Sequence, residues 1–254
     1  MSVLEVRDMS IQFGGLKALD AVDLDVREWE IVGLIGPNGA GKTTFFNCAM
    51  GVYAPTRGTV TYRGQDITTL PTYKRTALGL GRTFQNVGLV KSLPVMENML
   101  IAQHAKVRYS AGSGIFGLPD SLIEERQLRE NALEILNFMG LLEQRDARVS
   151  SLPYGLQKLS EIAAVLASDP DMLLLDEPTS GMSPEEAHEF GDLLLKLRTD
   201  LNLTVLMIEH HVPLVVRVCD HVYVLNFGRL LAEDEPKAIQ RHPEVVAAYL
   251  GSEE

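Results

Sequence analysis

A glycine-rich octapeptide that directly follows a short apolar run constrains the fold of this chain more than any other feature. Residues 36–43 read Gly-Pro-Asn-Gly-Ala-Gly-Lys-Thr, and residues 30–35 before them read Glu-Ile-Val-Gly-Leu-Ile. The apolar run predicts a buried strand, and the stretch from about Lys42 to Met50 predicts a helix. A strand, a loop of the pattern G-x-x-x-x-G-K-[ST] and a helix, in that order, are typical of a phosphate-binding loop. We therefore predict an α/β fold built around this loop.

The composition of the loop indicates how it would hold phosphate. Glycines allow successive backbone N–H groups to point inward, at the positive end of the following helix. Lys42 can reach the β- and γ-phosphates of a nucleotide, and the Thr43 hydroxyl can ligate Mg²⁺. An ordinary glycine-rich turn is the alternative, but it needs neither the strand before nor the helix after. The predicted nucleotide-binding residues of the loop are Gly36, Pro37, Asn38, Gly39, Ala40, Gly41, Lys42 and Thr43.

A pair of acidic residues ends a second apolar run. Asp176 and Glu177 follow the apolar residues 172–175, in a stretch that predicts a buried strand over 171–176. Two acids at the end of a buried strand are costly unless they serve a cation or a reaction. Beside a phosphate-binding loop, Asp176 can hold Mg²⁺, and Glu177 can orient and polarise an attacking water. The alternative is a strand that simply ends in solvent.

Two histidines follow a third predicted strand, residues 203–208. His210 can contact a γ-phosphate from the opposite rim of the site, although a lone histidine is more often structural and His211 lies beside it. A zinc site built on this pair lacks further ligands, so we reject it.

The remaining patterns organise the chain as one domain, residues 1–254. Residues 221–225 and 229–233 predict a terminal hairpin around the turn at 226–228. The first 27 residues and residues 59–62 predict an antiparallel side sheet. An all-helical lobe at about 87–165 is predicted to interrupt the α/β core, residues 1–86 and 166–254. Apolar residues at helical spacing support the lobe: Leu128, Ala132, Ile135, Leu136 and Met139.

Composition excludes several classes of function. The chain has 34 acidic and 23 basic residues, a net charge of −11, which disfavours binding to nucleic acid and direct adsorption to anionic lipid. Two cysteines, Cys48 and Cys219, are expected as reduced core thiols. No signal peptide and no apolar run of about 20 residues is visible, so any membrane role is expected to come through a partner.

With these motifs in place, the chain resembles the ATP-binding cassette (ABC) family of P-loop ATPases over essentially its whole length. The resemblance implies that Thr44 joins the nucleotide site and that Phe13 stacks on adenine. Gln85, in Arg-Thr-Phe-Gln-Asn at 82–86, matches the glutamine that contacts Mg²⁺ at the entry to the helical lobe. Glu177 matches the catalytic base and His210 the switch histidine. Residues 180–183 match the D-loop, which crosses the dimer interface.

Narrower features are similar to the ATP-binding subunits of branched-chain amino acid uptake systems. They are Phe-Gly-Gly-Leu at 13–16, Arg-Thr-Phe-Gln at 82–85, Ile-Glu-His-His at 208–211 and the tail at 243–251. This branch implies ATP-powered import of branched-chain amino acids, urea or a related small amide. It also implies membrane permease subunits, a second and different ATP-binding subunit, an extracytoplasmic solute-binding protein and a peripheral position at the cytoplasmic membrane face.

The chain departs from the family signature L-S-G-G-Q, because residues 152–156 read Leu-Pro-Tyr-Gly-Leu. Pro153 lacks the serine hydroxyl and a backbone N–H, and Leu156 lacks the glutamine amide. Gly155 still permits a close backbone approach to the γ-phosphate held by the other subunit. In the D-loop, Ser183 stands where the family often has aspartate.

The two alternative functions are an ATP-gated binding subunit and a non-transport cassette protein of DNA repair, chromosomes or translation. An ATP-gated binding subunit with little hydrolysis of its own would tolerate the altered signature. A non-transport cassette protein of DNA repair or chromosomes would need long coiled-coil arms, and the roughly 110 residues between the phosphate loop and the signature contain no heptads. A translation-type protein would usually carry two cassettes, whereas this chain has one phosphate-binding loop.

Overall fold

The computed structural model describes residues 2–83, 88–104 and 119–250, with backbone only for residues 119, 120 and 250. The chain forms two compact units, of which unit 1 comprises residues 1–82 and 171–254, and unit 2 comprises residues 83–170. The predicted boundaries of the helical lobe, about 87 and 165, remain a prediction.

All strands found among the described residues lie in unit 1. In chain order they are β1 (Ser2–Phe13), β2 (Leu16–Arg27), β3 (Ile31–Ile35), β4 (Arg57–Tyr62), β5 (Gln65–Asp66), β6 (Leu80–Arg82), β7 (Met172–Asp176), β8 (Thr204–Ile208), β9 (His221–Asn226) and β10 (Arg229–Asp234). The helices are α1 (Lys42–Ala49), α2 (Thr72–Ala77), α3 (Val95–Ala102), α4 (Pro119–Phe138), α5 (Tyr154–Ala167), α6 (Pro184–Leu201), α7 (Val212–Val218), α8 (Pro236–Ile239) and α9 (Pro243–Leu250).

The larger sheet has six strands in the order β10-β9-β3-β8-β7-β6. Its strands are parallel except for β10, which pairs antiparallel with β9. Every residue of β3, β7 and β8 is buried, which explains why these strands read as unbroken apolar runs in the sequence. Because β3, β7 and β8 are neighbours and parallel, their carboxyl ends meet at one edge of the sheet.

The smaller sheet has four antiparallel strands in the order β2-β1-β4-β5. Buried side chains of both sheets and of α1 form one core cluster, in which Phe45 and Phe46 of α1 are fully buried. The P-loop helix is therefore anchored by apolar packing along its length. The predicted α/β fold with an antiparallel side sheet is confirmed.

Helices α6 and α7 pack against each other in unit 1, through the buried residues Phe190, Leu194, Leu214 and Val218 among others. The start of α6 is set by a capping box. The Ser183 hydroxyl accepts a hydrogen bond from the Glu186 N–H at 3.2 Å, and the Glu186 carboxylate accepts one from the Ser183 N–H at 2.7 Å. Serine at position 183 therefore serves as a helix cap, a role that aspartate would also fill.

The described part of unit 2 contains helices and two 3₁₀ turns, Leu142–Gln144 and Val149–Ser151, with one isolated bridge between Pro94 and Arg148. Its helices α3, α4 and α5 pack on one another. On the predicted apolar face of α4, Ala132, Leu136 and Met139 are buried, and Leu128 and Ile135 are half-buried. Among the described residues, no helix has both the length and the apolar character needed to cross a bilayer.

Candidate functional site

The phosphate-binding loop, residues 36–41, joins β3 to α1 and depends on glycine at two positions. Gly36 has φ 149° and Gly41 has φ 103°, values that side chains rarely adopt. A Cβ at Gly36 would collide with the Leu225 carbonyl oxygen, and one at Gly41 would lie 2.6 Å from the Ala18 carbonyl oxygen. The loop therefore lies directly against neighbouring backbone on one side.

The other side of the loop is open. A Cβ added to Gly39 would meet no atom within 4 Å, and Asn38 and Gly39 are exposed. Gly41 caps α1 in a left-handed conformation without a side-chain hydrogen bond, so no side chain accepts the N–H groups of the first helical turn at that cap. Free space beside a glycine-rich loop at a helix N-terminus fits a bound phosphate chain.

Lys42 is the first residue of α1, directly after the loop, and is 6% exposed. Its Nζ donates hydrogen bonds to the carbonyl oxygens of Gly36 at 2.7 Å and Pro37 at 2.9 Å. Burial lowers the pKa of the ammonium group, and the charges of Glu177 and Asp176 oppose that shift. The ammonium is therefore held close to both acids and within the loop that would surround the phosphates.

Asp176 ends β7 and is 1% exposed. Its Oδ2 accepts a hydrogen bond from Arg82 Nη2 at 3.1 Å, and Arg82 Nη1 donates to Asn47 Oδ1 of α1 at 2.7 Å. Arg82 also lies over the Phe46 ring, 5.7 Å from its centroid. The buried aspartate is therefore joined through one guanidinium to the helix that begins at the phosphate loop. In the sequence, Arg82 is only the first residue of the family-like stretch 82–86, and no local pattern indicates that its side chain is buried.

Glu177 and His210 stand opposite each other at the ends of the neighbouring strands β7 and β8. His210 Nε2 lies 3.0 Å from Glu177 Oε1, at hydrogen-bond distance. Glu177 has φ 49°, a left-handed conformation that is uncommon for a residue with a side chain. Its N–H donates to the Ile208 carbonyl oxygen at 3.0 Å, which continues the strand pairing past the end of β7. The structure thus brings together Glu177, which the sequence proposed for activating water, and His210, which it proposed for contacting the γ-phosphate.

A cleft of about 330 Å³ opens beside this pair. Glu177, Thr179, Ser183, His210 and His211 are among the residues that line it. The segment matched to the D-loop therefore borders the same space as the proposed catalytic pair, within unit 1.

An exposed aromatic pair lies at the end of β1. Phe13 is 45% exposed and Tyr53 is 39% exposed, and their ring centroids are 5.3 Å apart in an edge-to-face arrangement. A strand phenylalanine of the core would be buried, so the exposed ring of Phe13 is available to a ligand. Tyr53 was not identified from sequence, because only the fold brings it beside Phe13.

The C-terminal region reaches the phosphate loop at two points. Gly228, in the turn between β9 and β10, donates its N–H to the Ala40 carbonyl oxygen at 2.9 Å. Burial raises the pKa of the Tyr249 hydroxyl in α9, and the nearby backbone of Gly36 opposes that rise. These contacts join the last elements of the chain to the loop, a connection that sequence spacing does not reveal.

The altered signature lies at the start of α5 in unit 2. Pro153 is the N-cap residue, with no side-chain hydrogen bond to the helix, and Tyr154 is 43% exposed. Gly155 and Leu156 are half-buried in the first turn. Gln157 Nε2 donates to the Leu152 carbonyl oxygen at 2.8 Å. Gln85, the remaining predicted site residue, lies outside the described residues.

The donor set fits a nucleotide with Mg²⁺. The exposed Thr43 hydroxyl and the Asp176 carboxylate are hard oxygen ligands of the kind that Mg²⁺ prefers, and this ion usually takes its other ligands from phosphate oxygens and water. A glycine loop at a helix start, a lysine within it, and an acidic pair at the end of a parallel strand define the class of P-loop ATPases.

Comparison with known proteins narrows this class. The family model for ABC transporters matches residues 19–180, and a second model, for branched-chain amino acid ATP-binding cassette transporters, matches residues 229–254. The chain belongs to the ABC transporter family. It is thus an ATP-binding and ATP-hydrolysing subunit that uses ATP with Mg²⁺, works with membrane permeases and dimerises. The family resemblance inferred from sequence is confirmed.

Individual relatives cover nearly the whole chain. A protein of Salmonella typhimurium named high-affinity branched-chain amino acid transport ATP-binding protein LivG is 42% identical over 249 residues, 98% of each chain. The crystal structure of the ADP conformation of MJ1267, an ATP-binding cassette of an ABC transporter, is 32% identical and matches with a TM-score of 0.87 over 99% of each chain. The dimeric structure of MJ0796, a bacterial ABC transporter cassette, is 25% identical, with a TM-score of 0.77 over 92% of this chain and 98% of that one.

Proposed function

We propose that this subunit powers the import of branched-chain amino acids, or of a related small polar or amide solute such as urea. The observation that carries the proposal is the match of residues 229–254 to the branched-chain amino acid cassette model, together with relatives over 40% identical that are named for that transport. The position of Tyr249 beside the backbone of Gly36, and the hydrogen bond of the adjoining Gly228 to Ala40, support a place for this C-terminal region in the working ATPase.

The proposed site works through residues at the carboxyl edge of the main sheet. Backbone N–H groups among residues 38–41 and the Lys42 ammonium hold the phosphates, and Thr43 and Asp176 hold Mg²⁺. Bound nucleotide and metal supply the phosphoryl group and the positive charge that stabilises its transfer. Glu177 orients and polarises the attacking water, and His210, 3.0 Å from it, fixes the carboxylate and faces the γ-phosphate.

Further residues complete the proposed site. Thr44, half-buried beside Thr43, extends the nucleotide contacts. Gln85, which the family resemblance implies for the metal, contacts Mg²⁺. The exposed ring of Phe13, in an edge-to-face contact with Tyr53, stacks on adenine, because an exposed aromatic face suits a planar base. Gly155 approaches the γ-phosphate held by the second subunit.

The proposed assembly is a mixed pair. The subunit lies peripherally at the cytoplasmic face of the membrane, bound to permease subunits and paired with a different ATP-binding subunit, and it depends on an extracytoplasmic solute-binding protein for its cargo. The altered signature at Pro153 and Leu156 supports a mixed pair over a homodimer, because self-pairing would weaken both composite sites.

Substitution of Lys42 by alanine in the cell is expected to lower ATP-dependent leucine uptake at least tenfold, because the loop loses its contact to the β- and γ-phosphates. Uptake of labelled leucine is measured in cells that carry the wild-type gene, Lys42→Ala or no gene. Lys196→Ala, an exposed lysine of α6, is the matched control and is expected to behave as wild type. Competition by excess isoleucine or excess urea separates the two solute classes. The proposal would be refuted if leucine uptake were equal with and without the gene and if excess urea competed with the uptake of no solute tested.

Restoring the signature through Pro153→Ser with Leu156→Gln is expected to raise the steady-state ATPase rate of the purified chain about three- to tenfold, because each substitution adds a donor for a charged phosphate. Serine is a favourable N-cap, so the start of α5 should be retained. Phosphate release is measured at saturating ATP·Mg²⁺. Leu156→Gln alone is expected to give an intermediate rate, and a double variant within twofold of wild type would show that the departures are tolerated.

A further inference from the structure

Glu209 is a buried acid that the proposed mechanism does not use. It follows β8 directly and is 3% exposed. Its Oε1 accepts two hydrogen bonds from Thr179, one from the backbone N–H at 3.0 Å and one from the hydroxyl at 2.7 Å. Thr179 stands two residues after Glu177 and is 7% exposed. One oxygen of this carboxylate is therefore bound to the segment that carries Glu177.

The second oxygen is bound to the segment that carries the histidine. Glu209 Oε2 accepts the backbone N–H of His210 at 3.0 Å and that of His211 at 3.2 Å. The four donors use the full accepting capacity of the carboxylate, and hydrogen bonds to an ionised acceptor are stronger than neutral ones. A single buried side chain thus bridges the ends of β7 and β8, where Glu177 and His210 face each other.

We propose that Glu209 is a positioning residue for ATP hydrolysis, which holds His210 at hydrogen-bond distance from Glu177. The inference rests on the roles proposed above for Glu177 and His210. Because the carboxylate fixes both backbone segments at once, it sets the separation of the two side chains, 3.0 Å between His210 Nε2 and Glu177 Oε1.

The backbone of Glu177 gives a reason for such a bridge. Its φ of 49° is unfavourable for a residue with a side chain, and such a conformation persists only where the surroundings determine it. Two backbone hydrogen bonds hold Glu177 itself. Its N–H donates to the Ile208 carbonyl oxygen, and its carbonyl oxygen accepts the Ser180 N–H at 3.2 Å. Glu209 fixes Thr179 immediately beyond it, so the turn cannot relax without breaking hydrogen bonds to a buried charge.

Glutamine cannot replace this carboxylate. Its amide has one accepting oxygen, and its NH₂ group would face either the two donors of Thr179 or the N–H groups of His210 and His211. At least one backbone N–H therefore loses its acceptor and faces the NH₂ group, because only the Thr179 hydroxyl can turn to accept from that group, whereas the size of the side chain is unchanged. The expected result is displacement of His210 relative to Glu177 with the nucleotide-binding loop intact.

The test compares Glu209→Gln with wild type in the purified full chain. We expect kcat for ATP hydrolysis to fall roughly ten- to hundredfold, since misplacement of a catalytic pair by about 1 Å has effects of this size. The equilibrium Kd for ATP·Mg²⁺ should change less than threefold, which separates positioning from loss of the fold. In protein labelled with nitrogen-15 histidine, the ring resonance of His210, assigned from its absence in His210→Ala, should shift or broaden.

Two further variants make the result decisive. His210→Ala should lower kcat, and adding Glu209→Gln to it should cause less than a twofold further loss, because Glu209 acts through the histidine. Glu189→Gln, at an exposed position of α6, is the matched control and should retain wild-type kcat. If His210→Ala retained wild-type kcat, the proposed site role of His210 and this inference would both be wrong. If His210→Ala lost activity but Glu209→Gln retained wild-type kcat, or left the His210 resonance unchanged, this inference alone would be wrong.

Thr179→Val provides a milder change in case Glu209→Gln does not fold. It removes the hydroxyl donor, one of the four, and keeps the backbone N–H. We expect kcat to fall about threefold, with Kd for ATP·Mg²⁺ unchanged. An unchanged kcat in Thr179→Val would also count against the bridge.

Discussion

Replacement of Glu177 by glutamine is expected to lower the rate of ATP hydrolysis at least a hundredfold while ATP binding is retained. General-base catalysis contributes roughly 10²–10⁴-fold to the rate of an enzyme, and an amide cannot accept the proton of the attacking water. Glutamine has the shape of glutamate and the same backbone requirements, so the turn at φ 49° should persist. With hydrolysis blocked, ATP that bridges two subunits is not consumed.

The measurement has two parts. Phosphate release is followed under single-turnover conditions, and the oligomeric state is followed by size-exclusion chromatography with ATP or with ADP. The variant should accumulate as a dimer with ATP and remain monomeric with ADP. Glu189→Gln makes the same chemical change on the exposed face of α6 and should hydrolyse ATP as wild type does. Hydrolysis by Glu177→Gln at the wild-type rate would remove Glu177 from the role of base.

Substitution of Arg75 by methionine is expected to destabilise the protein by about 3 to 5 kcal/mol, the upper range for a single substitution. The guanidinium is 1% exposed and donates to four carbonyl oxygens, those of Thr68, Leu70, Cys48 and Ala49, at 2.6 to 2.9 Å. Cys48 and Ala49 end α1, so Arg75 caps the carboxyl end of the phosphate-loop helix. Methionine fills the volume but leaves these acceptors buried without their donor.

The free energy of unfolding is measured by urea denaturation. Arg57→Met is the matched control, because Arg57 forms an exposed ion pair with Asp8 and should contribute less than about 1 kcal/mol. Arg75→Lys should fall between the two, since one ammonium cannot reach all four acceptors. A loss below 1 kcal/mol in Arg75→Met would show that water replaces the guanidinium at these carbonyls.

Local sequence pattern was sufficient for the fold and for part of the site. The unbroken apolar runs of β3, β7 and β8 predicted buried parallel strands because such strands have no polar face. The spacing of glycines before Lys42 predicted the loop because only glycine adopts the required backbone angles at Gly36 and Gly41. These signals are contained within about ten consecutive residues, so they can be read without knowledge of tertiary contacts.

The residues that sequence did not identify act across long separations in the chain. Arg82 joins Asp176 to Asn47, Tyr53 meets Phe13, and Arg75 caps a helix that ends 26 residues earlier. Glu209 was visible only as part of a family-like tetrapeptide, and its bond to Thr179 spans 30 residues. Charged residues are also expected on the surface by composition alone, so the burial of Arg75, Arg82 and Glu209 follows only from the assembled sheet.

The turn at Gly228 has a consequence for how this family can diversify. Its N–H donates to the Ala40 carbonyl oxygen, its carbonyl accepts the Asp20 N–H at 2.8 Å, and the strand after it begins the region that matches the model for branched-chain amino acid cassettes. A tail that is specific to one branch therefore begins directly after a residue bonded to the phosphate-binding loop. A graft of that tail from one branch to another would therefore also change contacts made by the phosphate-binding loop.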